Sequence, residues 1–181
     1  MNKNIGFRRN IYLSWMDAAA AFCAETPDPA ELRVRLDPVV AQQIASPKTR
    51  RIALDILVNI WGKSAQTNPA LHADATALYV NSSTADDRLW LHYGMTLLVY
   101  DFFRVSTLTI GQLSRYQEII TPGEVKQRLI AELGQLGSLD KAVERVIFSL
   151  RNWGILVGAD RRHAYRPLRG HFTASDPALE Q

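Results

Sequence analysis

The sequence predicts a mainly helical protein, with a helical bundle over residues 1–104 and a winged helix-turn-helix over residues 105–171. Helix start signals recur along the chain, and between them apolar residues repeat at helical spacing. Two short strand-like runs separated by a polar turn follow the last helix. Residues 172–181 are polar, lack these signals and are predicted to form a flexible tail.

Five helices are predicted in the bundle. Three of them begin where a capping residue precedes a proline, at Asp28-Pro29, Ser46-Pro47 and Asn68-Pro69. The first helix is predicted over residues 14–25 and the fifth over residues 84–103. Because the fifth is apolar on nearly every side, we expect it at the centre of the bundle.

Shorter and more basic elements are predicted in the C-terminal part. Thr109 is expected to cap a short helix, and Thr121-Pro122-Gly123-Glu124 is expected to form a capping box for the next. Ser138 is expected to cap a helix whose apolar stripe ends at Trp153. Two short runs then flank the turn Gly158-Ala159-Asp160-Arg161, which predicts a β-hairpin. This is the order of a winged helix-turn-helix, whose second motif helix enters the major groove of DNA.

Basic residues are concentrated in the same part of the chain. Residues 105–171 carry 10 Lys and Arg against 6 Asp and Glu, whereas residues 1–104 carry 11 against 10. The net charge of +3 is weak evidence by itself. Its distribution, however, indicates an anionic partner for the C-terminal part.

These elements are predicted to bind double-stranded DNA. Arginine and asparagine on the recognition helix can read guanine and adenine, and arginines at a hairpin tip can bind phosphate oxygens or enter a narrow minor groove. The candidate residues on the helix are Lys141, Arg145, Phe148 and Asn152. Those on and after the hairpin are Arg161, Arg162, Arg166 and Arg169.

Two further basic clusters are candidates to extend this surface. Arg8 and Arg9 lie in the N-terminal arm, and Lys48, Arg50 and Arg51 lie at the start of the third helix. Positive charge at a helix N-terminus opposes the helix dipole, so the second cluster lacks a stability rationale and favours a functional one. The alternative interpretation is an ordinary solvated surface.

No enzyme, metal or cofactor is predicted. The four histidines lack zinc-ligand spacing, and the chain has no phosphate-binding glycine loop. The single cysteine, Cys23, is predicted to be a core residue, and His92 a core histidine paired with Asp101 or a backbone carbonyl. No signal-peptide pattern is present, and the longest apolar stretch falls short of the roughly 20 residues of a membrane span. A cytoplasmic protein is therefore expected.

Three segments resemble a known family. They are Lys48-Thr49-Arg50-Arg51, residues 89–95 (LWLHYGM) with Phe102-Phe103-Arg104, and residues 149–156 (SLRNWGIL). They resemble the BrxA family, small proteins of bacterial BREX phage-defence systems. The resemblance implies a bundle similar to the antitermination factor NusB, DNA binding, and action alongside defence proteins that modify self DNA and block phage replication. Residues 6–15 do not match closely.

The leading hypothesis is a non-enzymatic DNA-binding accessory protein of a phage-defence system. Its main rival is a stand-alone transcriptional regulator, which would need symmetric dimerisation to read two half-sites about one helical turn apart. A scaffold whose winged helix docks protein is the third hypothesis. RNA as a ligand, the protein partners and the oligomeric state are left open by the sequence.

Overall fold

The computed structural model describes residues 5–82 and 84–168. This part of the chain is mainly helical with a small two-stranded sheet, which confirms the predicted fold class at that level. It divides into two compact units. We call residues 13–82 and 84–99 the helical unit, and residues 5–12 and 100–168 the hairpin unit. The predicted tail and Arg169 lie outside the described residues.

The helical unit contains helices whose starts mostly follow the capping signals. They are α1 (Leu13–Glu25), α2 (Pro29–Ala41), α3 (Pro47–Leu57), α4 (Ser64–Thr67), α5 (Pro69–Asn81) and α6 (Ala85–Val99). Asp28 accepts hydrogen bonds from two backbone N–H groups at the start of α2, each at 3.2 Å. Asn68 accepts one from Leu71 at 3.3 Å. Ser46 precedes α3 as predicted but makes no side-chain capping bond.

The core of the helical unit combines two tryptophans with aliphatic side chains. Its largest fully buried members are Trp15, Trp61, Met16, Leu32, Leu36, Ile56, Leu57 and Ile60. A π-helical turn, Val58–Gly62, continues α3 and carries part of this core. A Cβ at Gly62 would lie 3.0 Å from Leu32 Cδ2, so a larger residue there would push the Leu32 side chain of α2 aside by a few tenths of an ångström.

The predicted fifth helix is interrupted, and its expected central position is wrong. α6 ends at Val99, Tyr100 is extended (φ −121°, ψ 96°), and α7 (Asp101–Leu113) begins beyond it. No glycine or proline marks the break, so the apolar pattern predicted one continuous helix across it. Trp90 and Leu98 of α6 are exposed, the latter by 65%, so α6 is not enclosed on all sides.

The hairpin unit contains α7, α8 (Pro122–Leu133), α9 (Leu139–Asn152), β1 (Leu156–Gly158) and β2 (Tyr165–Pro167). The capping box of α8 is confirmed: Thr121 N–H donates to Glu124 Oε2 at 2.7 Å, and Glu124 N–H donates to Thr121 Oγ1 at 3.3 Å.

Of two further predicted caps in this unit, one is wrong and the other stands at the predicted position without its capping hydrogen bond. Thr109 lies inside α7, where its hydroxyl donates to the carbonyl of Val105 at 2.9 Å. Ser138 precedes α9 in the left-handed conformation (φ 61°) and makes no side-chain capping bond. An N-cap side chain reaches the first turn from an extended backbone, which Ser138 does not have.

The two strands form the predicted antiparallel hairpin. Leu156 pairs with Pro167, and Gly158 pairs with Tyr165. Ile120, in the connection before α8, also forms a bridge to Tyr165, with N–H to carbonyl bonds of 2.8 and 2.9 Å. This bridge fixes the hairpin to the segment that leads into α8.

Residues 5–12 form the N-terminal arm. They pack in the hairpin unit, whereas the predicted domain boundary at 104/105 placed them with α1–α6. Ile11 N–H donates to Ser149 Oγ at 3.0 Å, and Trp153 Nε1–H donates to the Ile11 carbonyl at 2.9 Å. Phe7 and Ile11 are completely buried. Ser149 of α9 and Trp153, directly after that helix, thus satisfy both backbone groups of one arm residue, which fixes the arm along α9.

A buried histidine in the helical unit has a partner different from the one predicted. His92 Nε2 lies 3.0 Å from Asp17 Oδ1, whereas Asp101 pairs with Arg104 at 2.8 Å. Burial lowers the pKa of His92 even though Asp17 raises it. Burial also lowers the pKa of His72.

Acid is therefore expected to weaken the helical unit. The unfolded chain takes up protons near the ordinary pKa of 6.5, and both folded histidines do so only at lower pH. The free energy of unfolding is therefore at its full value above pH 6.5 and falls as the pH drops below it. The loss should reach at most about 1.4 kcal/mol per pH unit for each histidine. Urea unfolding at about pH 7 and about pH 5.5 measures it. His92→Gln should reduce the pH dependence and exposed His163→Gln should not; equal stability at both pH values would contradict this.

Candidate nucleic-acid interface

A groove of about 420 Å³ lies along the outer face of α9, and we call it the α9 groove. Lys141, Arg145 and Phe148, three of the four residues predicted on the recognition helix, line it. The fourth, Asn152, is exposed one turn further along the helix. The helical spacing therefore placed the exposed face of α9 correctly.

Besides α9 itself and Pro122 at the start of α8, two other segments of the hairpin unit line the α9 groove. Asn10 comes from the N-terminal arm, and His163 and Tyr165 come from the hairpin. Arg151 of α9 also lines it, with its guanidinium carbon 5.2 Å from the centre of the Tyr165 ring. None of these four was singled out from the sequence. Arg151 could have been found, because it follows Phe148 by three positions on the same helix face.

In both units some basic residues form ion pairs and others do not. In the helical unit, four arginines pair with carboxylates: Arg33 with Asp55, Arg35 with Glu25, Arg50 with Asp37, and Arg88 with Asp17. Around the α9 groove and the hairpin turn, six basic side chains form no ion pair with any described residue: Arg8, Arg9, Lys141, Arg145, Arg161 and Arg162. Their charge is available to an external anion.

Arg145 has a strongly positive environment. Burial lowers the pKa of Arg145, and the positive charges of Arg9 and Arg8 lower it further. The Glu144 carboxylate raises the same pKa in partial compensation. Arginine remains charged under such conditions. Arg8 and Arg9 of the arm therefore lie within electrostatic range of Arg145, although the sequence placed them in a cluster separate from α9.

Phe148 has a packing role as well as a place in the groove. Its ring meets the Tyr12 ring edge-on, with centroids 5.2 Å apart and an interplanar angle of 76°. Part of the Phe148 side chain therefore holds the arm against α9, and only the remainder faces the groove.

The hairpin arginines differ in whether a carboxylate lies close to them. Arg161 and Arg162 are exposed in the turn between β1 and β2, as predicted for a hairpin tip. Arg166 is exposed on β2 but lies 3.7 Å from Glu118. Such an exposed pair contributes little to stability and is easily replaced by another anion.

The cluster at the start of α3 belongs to the helical unit, and one member already has a structural role. Arg50 Nε donates to Asp37 Oδ1 at 2.7 Å, and its Nη1 donates to the carbonyl of Ile44 at 3.3 Å. The premise that this cluster lacks a stability rationale is wrong for Arg50. Lys48 and Arg51 are exposed and have no ion pair within the described part of the chain.

A buried polar cluster in the helical unit has residue types that also occur in active sites. Ser64 Oγ lies 3.0 Å from His72 Nδ1, and the Cys23 thiol donates to the Trp61 carbonyl at 3.3 Å. Burial raises the pKa of Cys23 to about 11, the opposite of what an activated thiolate needs. Ser64 also donates to the Trp61 carbonyl, so the cluster satisfies a backbone group of the π-helical turn.

Cys23 is accordingly expected to resist alkylation in the native protein. A pKa raised from 9.0 to about 11 lowers the thiolate fraction about 100-fold near neutral pH, and burial of the sulfur slows the reaction further. Iodoacetamide labelling followed by mass spectrometry should be rapid in urea and slow in its absence. Similar rates in both conditions would show an accessible thiol.

Among residues 5–82 and 84–168, no helix is long and apolar enough to cross a membrane. The same residues contain no group of three or more His, Cys, Asp or Glu placed to hold a metal ion.

No family model matches this chain, and neither a curated protein nor a solved structure does so. The resemblance to the BrxA family therefore rests on the three segments quoted above.

Proposed function

We propose that this protein binds double-stranded DNA through the α9 groove and the hairpin turn, with the hairpin unit acting as a winged helix-turn-helix. The observation that carries the proposal is that one compact unit carries basic side chains without an ion pair among the described residues on its arm, on α9 and at its hairpin turn, and that Lys141 and Arg145 among them line the α9 groove. Anionic phosphate backbones bind to such surfaces by replacing their counterions.

The geometry of the hairpin unit supports α9 as the recognition helix. α8, a five-residue connection and α9 are followed directly by the hairpin, and the Ile120 bridge ties that hairpin to the start of α8. With 14 residues, α9 is about 21 Å long, enough to lie across a major groove. Lys141 and Arg145 stand on its exposed side, where base edges or phosphates are within reach.

We further propose that the protein is a non-enzymatic accessory component of a BREX-type phage-defence system. The support for this step is the resemblance of the three segments to the BrxA family. DNA binding by the hairpin unit does not depend on it.

Docking of a protein partner is the second candidate, and Glu144 favours it. This carboxylate lines the α9 groove, where a phosphate backbone would be repelled. A protein surface with both signs of charge and an aromatic anchor would accommodate Glu144 together with Phe148. Salt dependence separates the candidates, because only a polyanion releases many counterions when it binds.

Fluorescence anisotropy of a labelled duplex tests the proposal. Six unpaired basic groups contacting phosphates would give a slope of roughly −5 in a plot of log affinity against log salt. The affinity should then fall about 10³-fold between about 50 and 200 mM salt. Absence of binding at low salt, or binding that is insensitive to salt, would remove the DNA hypothesis.

The hairpin arginines give a more local test. Arg161→Ala with Arg162→Ala should reduce the magnitude of the salt slope by about 2, because two phosphate contacts are lost. Stability should change by less than about 0.5 kcal/mol, since both side chains are exposed. Lys48→Ala with Arg51→Ala, two exposed basic residues of the helical unit, is the matched control. A larger reduction of the salt slope in the control would indicate that DNA binds at the start of α3 instead.

A further inference from the structure

The N-terminal arm is held in a fixed position relative to Arg145. Ser149 accepts the Ile11 N–H and also donates to the Arg145 carbonyl at 3.0 Å, so it joins the arm to the α9 turn that carries Arg145. On the far side of Arg8 and Arg9, Phe7 is anchored against the rings of Tyr100 and Phe103, with centroid distances of 5.6 and 5.1 Å. The two arginines therefore lie between buried anchors at Phe7 and Ile11.

The Arg9 guanidinium is not fully hydrogen-bonded within the protein. Arg9 Nε is buried and has no hydrogen-bond partner, and no ion pair of the described residues includes Arg8, Arg9 or Arg145. A buried guanidinium N–H without an acceptor costs free energy, and so does the mutual repulsion of neighbouring cations. A bound oxyanion would remove both costs, because it supplies several acceptors and opposite charge.

We propose that Arg8, Arg9 and Arg145 form a binding site for one phosphate group, built by the docking of the N-terminal arm on α9. The inference deepens the proposed function, on which it rests for the identity of the ligand as a backbone phosphodiester of DNA. The same chemistry would hold a free phosphate ion. Arm and recognition helix thus form one site, in which Ser149 and Trp153 act as positioning residues by holding Ile11.

Glu144 limits the affinity of this site. Its carboxylate partly compensates the charge of Arg145 and would repel a bound phosphate. Glu144→Gln should therefore tighten phosphate binding, whereas a partner that pairs with the carboxylate would be bound more weakly by the same variant.

Thermal melting in inorganic phosphate, compared with chloride at equal ionic strength, tests the site without DNA. At about ten times its Kd, phosphate should raise the Tm of the wild-type protein by roughly 5 °C. Arg9→Gln with Arg145→Gln should lose this rise. Arg104→Gln, which removes an exposed arginine paired with Asp101, should retain it. Exposed Arg8→Gln supplies a second variant with little risk to folding.

Duplex binding by the same variants identifies the source of the phosphate. A smaller salt slope for Arg9→Gln with Arg145→Gln than for Arg104→Gln would support a site occupied by the DNA backbone. Loss of the phosphate-induced Tm rise with an unchanged DNA slope would support a site for free phosphate only. The site is overturned if phosphate gives no rise beyond chloride, or an equal rise in the double variant. The proposed function fails separately, if the wild-type protein does not bind duplex.

Discussion

Replacement of Trp153 by alanine is expected to lower the free energy of unfolding of the hairpin unit by about 3 to 5 kcal/mol, as large aromatic deletions in cores do. The indole is 2% exposed and packs on Phe103 with ring centroids 5.6 Å apart. Its N–H also donates to the Ile11 carbonyl, so the substitution releases the arm as well as opening the core. Typical proteins have only about 5 to 15 kcal/mol of stability, and DNA binding should fail with the unit.

Trp153→Phe separates the two contributions. Phenylalanine keeps much of the aromatic packing but cannot donate to Ile11, so the loss should be smaller and the arm should still be released. Protection of the α9 amides from hydrogen exchange measures the stability of the unit, and protection of the arm amides reports docking. Near-native exchange in Trp153→Ala would contradict the assigned role of the indole.

Reversal of charge at Arg145 is expected to have the largest effect on DNA binding of any single substitution in the α9 groove. Arg145→Glu replaces a cation that faces the ligand by an anion, next to the existing carboxylate of Glu144. The affinity at low salt should fall by at least about 2 kcal/mol, roughly 30-fold. A thermal melt checks that the variant folds, because the substitution removes repulsion from Arg8 and Arg9 but adds repulsion from Glu144.

Arg104→Glu is the matched control for this reversal. Arg104 is an exposed arginine of the same unit and does not line the α9 groove. Equilibrium titration with a labelled duplex, together with a thermal melt of each variant, measures both quantities. Equal losses in the two variants would show that general charge, and not a site at Arg145, governs the affinity.

Local sequence signals predicted most of the helix starts and the hairpin. The Thr121 capping box and Gly154, which follows α9 with a φ of 78°, each involve residues that are close in the sequence. Such local signals can be recognised in a single sequence. The break at Tyr100 was not predicted because no local residue marks its extended conformation, whereas its ring packs on Phe7, which lies far away in the sequence.

The residues of the candidate site were partly predicted, but the packing of the arm against α9 was not. Helical spacing identified the exposed face of α9, because side chains on one face recur every three to four residues. The sequence could not show that Ser149 and Trp153 hold the arm, since these contacts join residues nearly 140 positions apart along the chain. For the same reason Arg8, Arg9 and Arg145 were assigned to two clusters.

Hydroxyl-radical footprinting with and without saturating duplex tests the central claim most directly, because it reports the solvent exposure of individual side chains. Phe148 and His163 line the α9 groove, while Tyr116 and Trp90 are exposed outside it, at 89% and 44%. Oxidation of Phe148 and His163 should fall when DNA is bound, and oxidation of Tyr116 and Trp90 should not change. Unchanged oxidation of Phe148 and His163 in a protein saturated with duplex would contradict the α9 groove as the DNA-binding surface.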